Sequence, residues 1–262
     1  MGWNALKKKE LQPPKPEEFF TPLQRIEHVG GLKVGIYGAP ETGKTYFALT
    51  FPEPIYVIDT EFGAKKVARV HFPEKEIYIA EVVHIDPITD EPDPIKSLEK
   101  VEKAIAAIAS QNISKGTIVI DSATDIWAWI TAWLEQVATR RTASGQPFRF
   151  EYGLANERYR QLIVRLLAKP VHVVLTAQEQ DVYDSSGKPT GMKQPRWQKQ
   201  TPHWVDIVLH TVKRFDPSLK RWRYVAVMEK CRFKRAFNLE IEDVTYEKLR
   251  NALRRNLGID VV

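Results

Sequence analysis

The chain has 262 residues, 43% hydrophobic and 27% charged, which is the composition of a globular protein with a sizeable buried core. It contains no run of about 18 or more apolar residues, so a transmembrane helix is not expected. Its single cysteine, Cys231, excludes an internal disulfide and a multi-cysteine zinc site.

Lys7-Lys8-Lys9 is not followed by an apolar stretch, so a secretory signal is not expected and the cytoplasm is the expected compartment. The net charge of +6 is unevenly spread: Ser185 to Arg235 carries 13 Lys/Arg against 3 Asp/Glu, a local +10, and the rest of the chain is −4. A basic block on a mildly acidic body is a candidate polyanion-binding surface, with a plain solvated face as the alternative.

In chain order, residues 1–29 read as a Pro-rich tail, since Pro13, Pro14, Pro16 and Pro22 disfavour regular helix. Phe19 and Phe20 are its strong apolar pair. Residues 30–262 read as one domain in which strand and helix alternate. β-Branched runs predict strands at Lys33–Tyr37, Ile55–Asp59, Ile77–Val82, Thr117–Asp121, Val171–Thr176, Asp206–Val212 and Arg223–Met228.

Helical stripes lie between them: Ile95, Leu98, Val101, Ile105 and Ile108; Ile126, Ile130, Trp133, Leu134 and Val137; Tyr159, Leu162, Ile163 and Leu166. The pattern predicts an α/β fold, a mostly parallel central sheet with helices on both faces. With no helix between the last two strands, the sheet is expected to end in an antiparallel hairpin. A final helix is expected from about Thr245 to Leu257, stopping at Gly258.

Gly38-Ala39-Pro40-Glu41-Thr42-Gly43-Lys44-Thr45 matches G-x-x-x-x-G-K-[ST] at every fixed position, with a strand before it and a helix from Tyr46 after it. Such a loop lets backbone N–H groups converge on phosphate oxygens. Lys44 is expected on the β- and γ-phosphates and Thr45 on Mg²⁺. Thr117-Ile118-Val119-Ile120-Asp121 supplies a buried strand ending in a carboxylate, so Asp121 is the second expected Mg²⁺ anchor. ATP or GTP is therefore the expected ligand. The six histidines show no H-E-x-x-H spacing, and no other metal is expected.

Ile55-Tyr56-Val57-Ile58-Asp59-Thr60-Glu61 follows the first helix, and this strand ending in Asp-Thr-Glu resembles the RecA/RadA recombinase core. The resemblance continues through Asp121-Ser122-Ala123-Thr124, Tyr152-Gly153-Leu154-Ala155, Val173 to Gln178, and Glu229-Lys230-Cys231-Arg232-Phe233. It departs at Ala177, where the family often has Asn. The compact length is similar to the phage- and plasmid-borne RecA-like single-strand-annealing proteins of the Sak type.

The resemblance implies a RecA-like ATPase using ATP and Mg²⁺, with Glu61 polarising the attacking water. It implies that Gln178 senses the γ-phosphate, and that Lys230 and Arg232 reach a neighbour's site. Single-stranded DNA, a ring or filament of its own copies, and a single-strand-binding protein are the implied partners.

Two connections suit single strands by composition, since cations track phosphates and rings stack on bases. Residues 140–152 hold Arg140, Arg141 and Arg149 with Phe148 and Phe150. Residues 179–203 hold Lys188, Lys193, Arg196, Trp197 and Lys199. The expected function is ATP hydrolysis coupled to single-stranded DNA binding in recombination or annealing. The alternatives are a hexameric helicase-like or packaging motor, a DNA-binding module using ATP only as a conformational ligand, and a small-molecule kinase.

Overall fold

The structure is a computed structural model and describes residues 15, 20–25, 30–233 and 239–258. Most of the expected tail, including Lys7-Lys8-Lys9 and Phe19, lies outside the described residues; Phe20 is described and exposed. The strands are β1 Lys33–Gly38, β2 Ile55–Asp59, β3 Ile77–Glu81, β4 Thr117–Asp121, β5 His172–Tyr183, β6 Pro189–Pro195, β7 Ile207–Asp216, β8 Arg221–Cys231 and β9 Leu239–Glu242. The helices are α1 Lys44–Leu49, α2 Ala64–His71, α3 Pro94–Ser110, α4 Ala123–Val137, α5 Tyr152–Leu167, α6 Thr201–Trp204 and α7 Tyr246–Leu257.

The sheet runs β3-β2-β4-β5-β1-β7-β8-β9. Every pairing from β3 to β7 is parallel, whereas β7/β8 and β8/β9 are antiparallel. The expected architecture is therefore present: a mostly parallel sheet, helices on both faces and an antiparallel end. β5 lies between β1 and β4, so the strand carrying the phosphate loop and the strand carrying Asp121 are not neighbours.

The apolar stripes decide which faces are covered. Leu98, Val101 and Ile105 of α3, Ile126, Ile130 and Leu134 of α4, and Tyr159, Ile163 and Leu166 of α5 pack on Ile118, Ile120, Val173 and Leu175. On the other face, Phe47 and Leu49 of α1 and Leu249 and Leu253 of α7 pack on Val34, Ile36, Val174 and Leu209. Each fully buried aliphatic or aromatic side chain contributes about 1.5–3 kcal/mol, well above any helix-propensity difference, so these stripes fix the layering. Asp93 caps α3 by accepting from the Ile95 and Lys96 amides, and Thr245 caps α7 by accepting from Lys248. α7 stops at Gly258, as its sequence implied.

One large difference concerns the connection after β5. It is not an irregular loop from residue 179: β5 runs on to Tyr183 and pairs antiparallel with β6, making a hairpin that projects from the sheet. α2 and β9 are further elements that periodicity did not single out.

Candidate nucleotide site

The parallel strands β1, β2 and β4 end on one side of the sheet, and their last residues, with Thr176 to Gln178 of the longer β5, build the site. Gly43 adopts φ 87°, a left-handed conformation that glycine takes without steric cost, and it leads directly into α1. Thr42 Oγ1 donates to the Ala39 carbonyl (2.8 Å) and lies 2.7 Å from Thr211 Oγ1 of β7, which seats the loop on its neighbouring strand. Glu41 points outward to Lys213 Nζ at 3.1 Å. Tyr46, on the first turn of α1, meets the His71 ring edge-on at 5.3 Å.

Lys44 Nζ donates to the carbonyls of Gly38 (3.0 Å) and Ala39 (2.7 Å), which holds the ammonium within the turn of the loop. Burial pushes its pKa down, and Glu61, Asp121 and Glu179 act in the opposite direction. A phosphate seated in the loop would likewise favour the charged ammonium.

Asp121 is fully buried. It accepts from Thr45 Oγ1 at 2.8 Å and from Thr176 Oγ1 at 2.5 Å. Desolvation raises its pKa to about 6, and the two threonine hydrogen bonds oppose the rise. A hydroxyl from the loop and a carboxylate from β4 thus meet at the loop's mouth. Hard oxygen donors of this kind fit Mg²⁺, so Thr45 and Asp121 are the residues that would hold it. When bound, the ion would neutralise charge on phosphate oxygens.

Asp59 is buried and structural: it accepts from the Glu61 amide (3.0 Å) and the Ala64 amide (3.1 Å), which shapes the exit from β2. Glu61 Oε1 accepts from Gln178 Nε2 at 2.9 Å. Glu61 also acts electrostatically on both Lys44 and Asp121, pushing each pKa upward. The Asp121–Ser122 peptide is cis.

Several members of this network had no obvious sequence signature. Asp125 Oδ2 accepts from Thr60 Oγ1 (2.7 Å) and Ser122 Oγ (2.9 Å), tying the residues beside Glu61 and Asp121 to the first turn of α4. Gln178 N donates to Thr124 Oγ1 at 3.0 Å. One residue further on, Glu179 contacts His210 Nε2 at 3.0 Å, and that ring stacks on Tyr37 at 4.4 Å. Tyr37 donates in turn to Glu229 at 2.7 Å. These partners lie far apart in sequence.

The remaining expected residues stand elsewhere. Lys230 and Arg232 lie at the opposite end of the sheet, where β8 finishes beside the start of β7. Lys230 Nζ donates to the carbonyls of Pro202 and Val205, and Arg232 pairs with Asp206 at 3.1 Å. Within one chain they do not join the phosphate site.

Arg140, Arg141 and Arg149 are exposed, with Arg140 over the Phe150 ring at 5.4 Å and Arg141 bound to the carbonyls of Gly145 and Glu135. Lys188, Lys193, Arg196 and Lys199 are exposed on or beside the β5–β6 hairpin, and Lys193 pairs with Asp181 at 2.8 Å.

Trp197 requires a correction: it is 5% exposed and presents no ring face to solvent. Its ring lies on the backbone of Gly35, where a Cβ would fall 2.5 Å from Cη2, and it leans on Tyr37 at 6.4 Å. An indole gains more by filling the core than by waiting at the surface. Trp127, Trp129 and Trp133 of α4 are partly buried against the core.

Residues 30–233 match the AAA domain family (AAA_24). The chain belongs to that family. Together with the loop and the buried aspartate, the match marks an NTPase-type phosphate-loop domain. No curated protein matches the chain. Among solved structures, it is similar to the RadB recombinase at 16% identity and a TM-score of 0.47, over 81% of this chain and 86% of that one. It is also similar to the KaiC-like protein PH0186 from Pyrococcus horikoshii OT3 at 14% identity and a TM-score of 0.43, over 82% and 86% of the two chains. No helix among the described residues is long and apolar enough to cross a membrane.

Proposed function

We propose that this protein hydrolyses ATP with Mg²⁺, binds single-stranded DNA and couples the two, acting in recombination or strand annealing. The observation that carries the reading is the position of Gln178. Its side chain donates to Glu61 at 2.9 Å, and its own carbonyl accepts from the Arg196 amide at 2.7 Å, at the base of the basic β5–β6 hairpin. One residue therefore touches both the candidate water-activating carboxylate and the candidate DNA element.

In this reading the loop amides and Lys44 hold the phosphates, which pre-orders the reacting group. Glu61 orients the attacking water and withdraws its proton. When Glu61 takes up that role its bond to Gln178 changes, and the hairpin base moves with it. DNA held on the hairpin acts back on Gln178 in the same way, because coupling between two sites is reciprocal. A cation from a neighbouring copy would complete charge neutralisation. Arg232 is the more exposed candidate, and it must leave Asp206 to serve.

The test is ATP turnover measured with and without single-stranded DNA, alongside mass determination. A DNA-dependent rise in turnover by an assembled form is expected. Turnover indifferent to DNA removes the coupling.

A further inference from the structure

The β7–β8 hairpin is longer than the sheet needs. β9 pairs with β8 only from Val225 to Met228, whereas β7 and β8 remain paired from Lys213/Tyr224 out to Asp216/Arg221. This overhang has two unlike faces.

On one face, Arg214 pairs with Glu240 at 2.8 Å, and Arg223 pairs with Glu242 at 2.6 Å and with Asp216 at 3.5 Å, so its cations are matched by acids of the same chain. The other face is aromatic. Phe215 and Trp222 sit directly across the strands with ring centroids 5.5 Å apart, and Tyr224 lies beneath Lys213 Nζ at 5.7 Å. Phe215 is 53% exposed, Trp222 58% and Tyr224 37%. Leaving three rings in water forgoes about 1.5–3 kcal/mol for each that could be buried, so such a patch points to a partner.

Charge and chemistry select the partner. Of the five Lys/Arg in residues 213–224, Arg214, Arg221 and Arg223 lie on the acid-matched face, Arg221 4.0 Å from Glu242, while Lys213 stands over Tyr224 on the aromatic face and Lys220 is exposed in the turn. Stacking rings beside cations fit bases beside phosphates. A second copy docked through this same face fits less well, because it would bring two basic tips together.

We infer that the aromatic face of the β7–β8 hairpin is a stacking surface for single-stranded nucleic acid, separate from the β5–β6 hairpin. This deepens the proposed function and rests on it. The face lies on the phosphate-loop side of the sheet: Lys213 reaches Glu41, and Thr211, two residues earlier on the same side of β7, contacts Thr42. A strand lying across both hairpins would pass the mouth of the nucleotide site.

The test is the affinity of fluorescently labelled oligothymidine, by anisotropy, for wild type, for Phe215→Ala/Trp222→Ala and for Trp222→Phe. The double variant should bind about 5- to 150-fold more weakly per stacked base lost, the fold-change equivalent of about 1–3 kcal/mol. Its salt slope should be unchanged, and Trp222→Phe should bind close to wild type. Lys220→Ala, which keeps both rings, should instead flatten the salt slope by about 0.7.

If wild type binds and the double variant binds equally well, the hairpin inference is wrong while the DNA reading stands. If wild type does not bind at all, both fall. If the double variant loses oligomer mass together with affinity, the face belongs to a second copy, and if it loses ATP affinity instead, the rings hold the nucleotide's own base. Either result overturns the inference.

Discussion

Glu61 and Gln178 are 117 residues apart in sequence and 2.9 Å apart in space. Their contact makes separate expectations about two motifs into one mechanism, and it can be tested one side chain at a time. Glu61→Gln keeps the size and the hydrogen bond but cannot accept a proton. ATP hydrolysis should fall about 10²- to 10⁴-fold, the range for losing a general base, while nucleotide affinity changes little. Single-turnover hydrolysis beside equilibrium nucleotide binding checks this, and near-normal turnover removes Glu61 from the chemistry. Gln178→Ala should leave basal turnover closer to wild type and abolish its response to DNA.

The residues pointed out in sequence at this scale were the loop and Asp121, by fixed local spacing, and Glu61, by the family resemblance. Thr176, Thr211 and Asp125 were not, because hydroxyl and carboxylate partners are chosen by the fold. Trp197 misled for the opposite reason. Its basic, polar neighbours describe the surface, while its own ring turns inward onto Gly35. Trp197→Ala should therefore cost about 3–5 kcal/mol of stability in chemical denaturation, as for other large core truncations. A loss below about 1 kcal/mol would show that the ring is not a core element.

Among the elements, those with a strong apolar period were readable and those held by backbone pairing were not. α3, α4 and α5 bury most of the stripes their sequences display, although Val137 at the end of α4 is exposed. β6 reads Pro-Thr-Gly-Met-Lys-Gln-Pro, with six of its residues exposed, so nothing in its pattern distinguishes it from a loop. It is a strand because β5 continues past the sheet and offers it hydrogen bonds. α2 was equally opaque, since it buries only Ala64 and Ala68.

The hairpin also ranks the cations expected to meet DNA. Lys193 already pairs with Asp181 and lies 3.9 Å from Glu179, so a phosphate gains less from it than from Arg196 or Lys199. Arg196→Ala and Lys199→Ala should each lower the salt slope of single-strand binding by about 0.7, and Lys193→Ala by less. Titrations at several salt concentrations check the ranking. Equal slopes in all three variants and wild type would place the nucleic acid off this hairpin.

Across the whole molecule the two ends of the sheet do different work. The carboxyl ends of the parallel strands converge on the nucleotide site, the usual place for a ligand in an open α/β sheet. The opposite end, which also carries Lys230 and Arg232, holds a structural junction around His172. His172 Nδ1 accepts from the Leu32 amide at 3.0 Å, and the ring meets Phe51 and Tyr246 edge-on at 5.6 and 5.1 Å, joining β5, β1 and α7.

Burial, with Lys33 nearby, lowers the pKa of His172 from 6.5 to about 4. The imidazole is thus neutral in the folded protein through most of the range where it would be charged in the unfolded chain. Its contribution is fully present above pH 6.5 and is lost as the pH falls toward 4, because the unfolded state binds the proton first. By pH 5 that loss is about 2 kcal/mol relative to neutral pH.

Comparing denaturation midpoints from pH 7 to 5 in wild type and His172→Gln isolates this histidine from the carboxylates, which titrate in both. Wild type should start more stable and lose about 2 kcal/mol more than the variant over that interval. Parallel pH profiles would mean that the ring can be protonated in place, and that Leu32, β5 and α7 are joined by something other than a neutral imidazole.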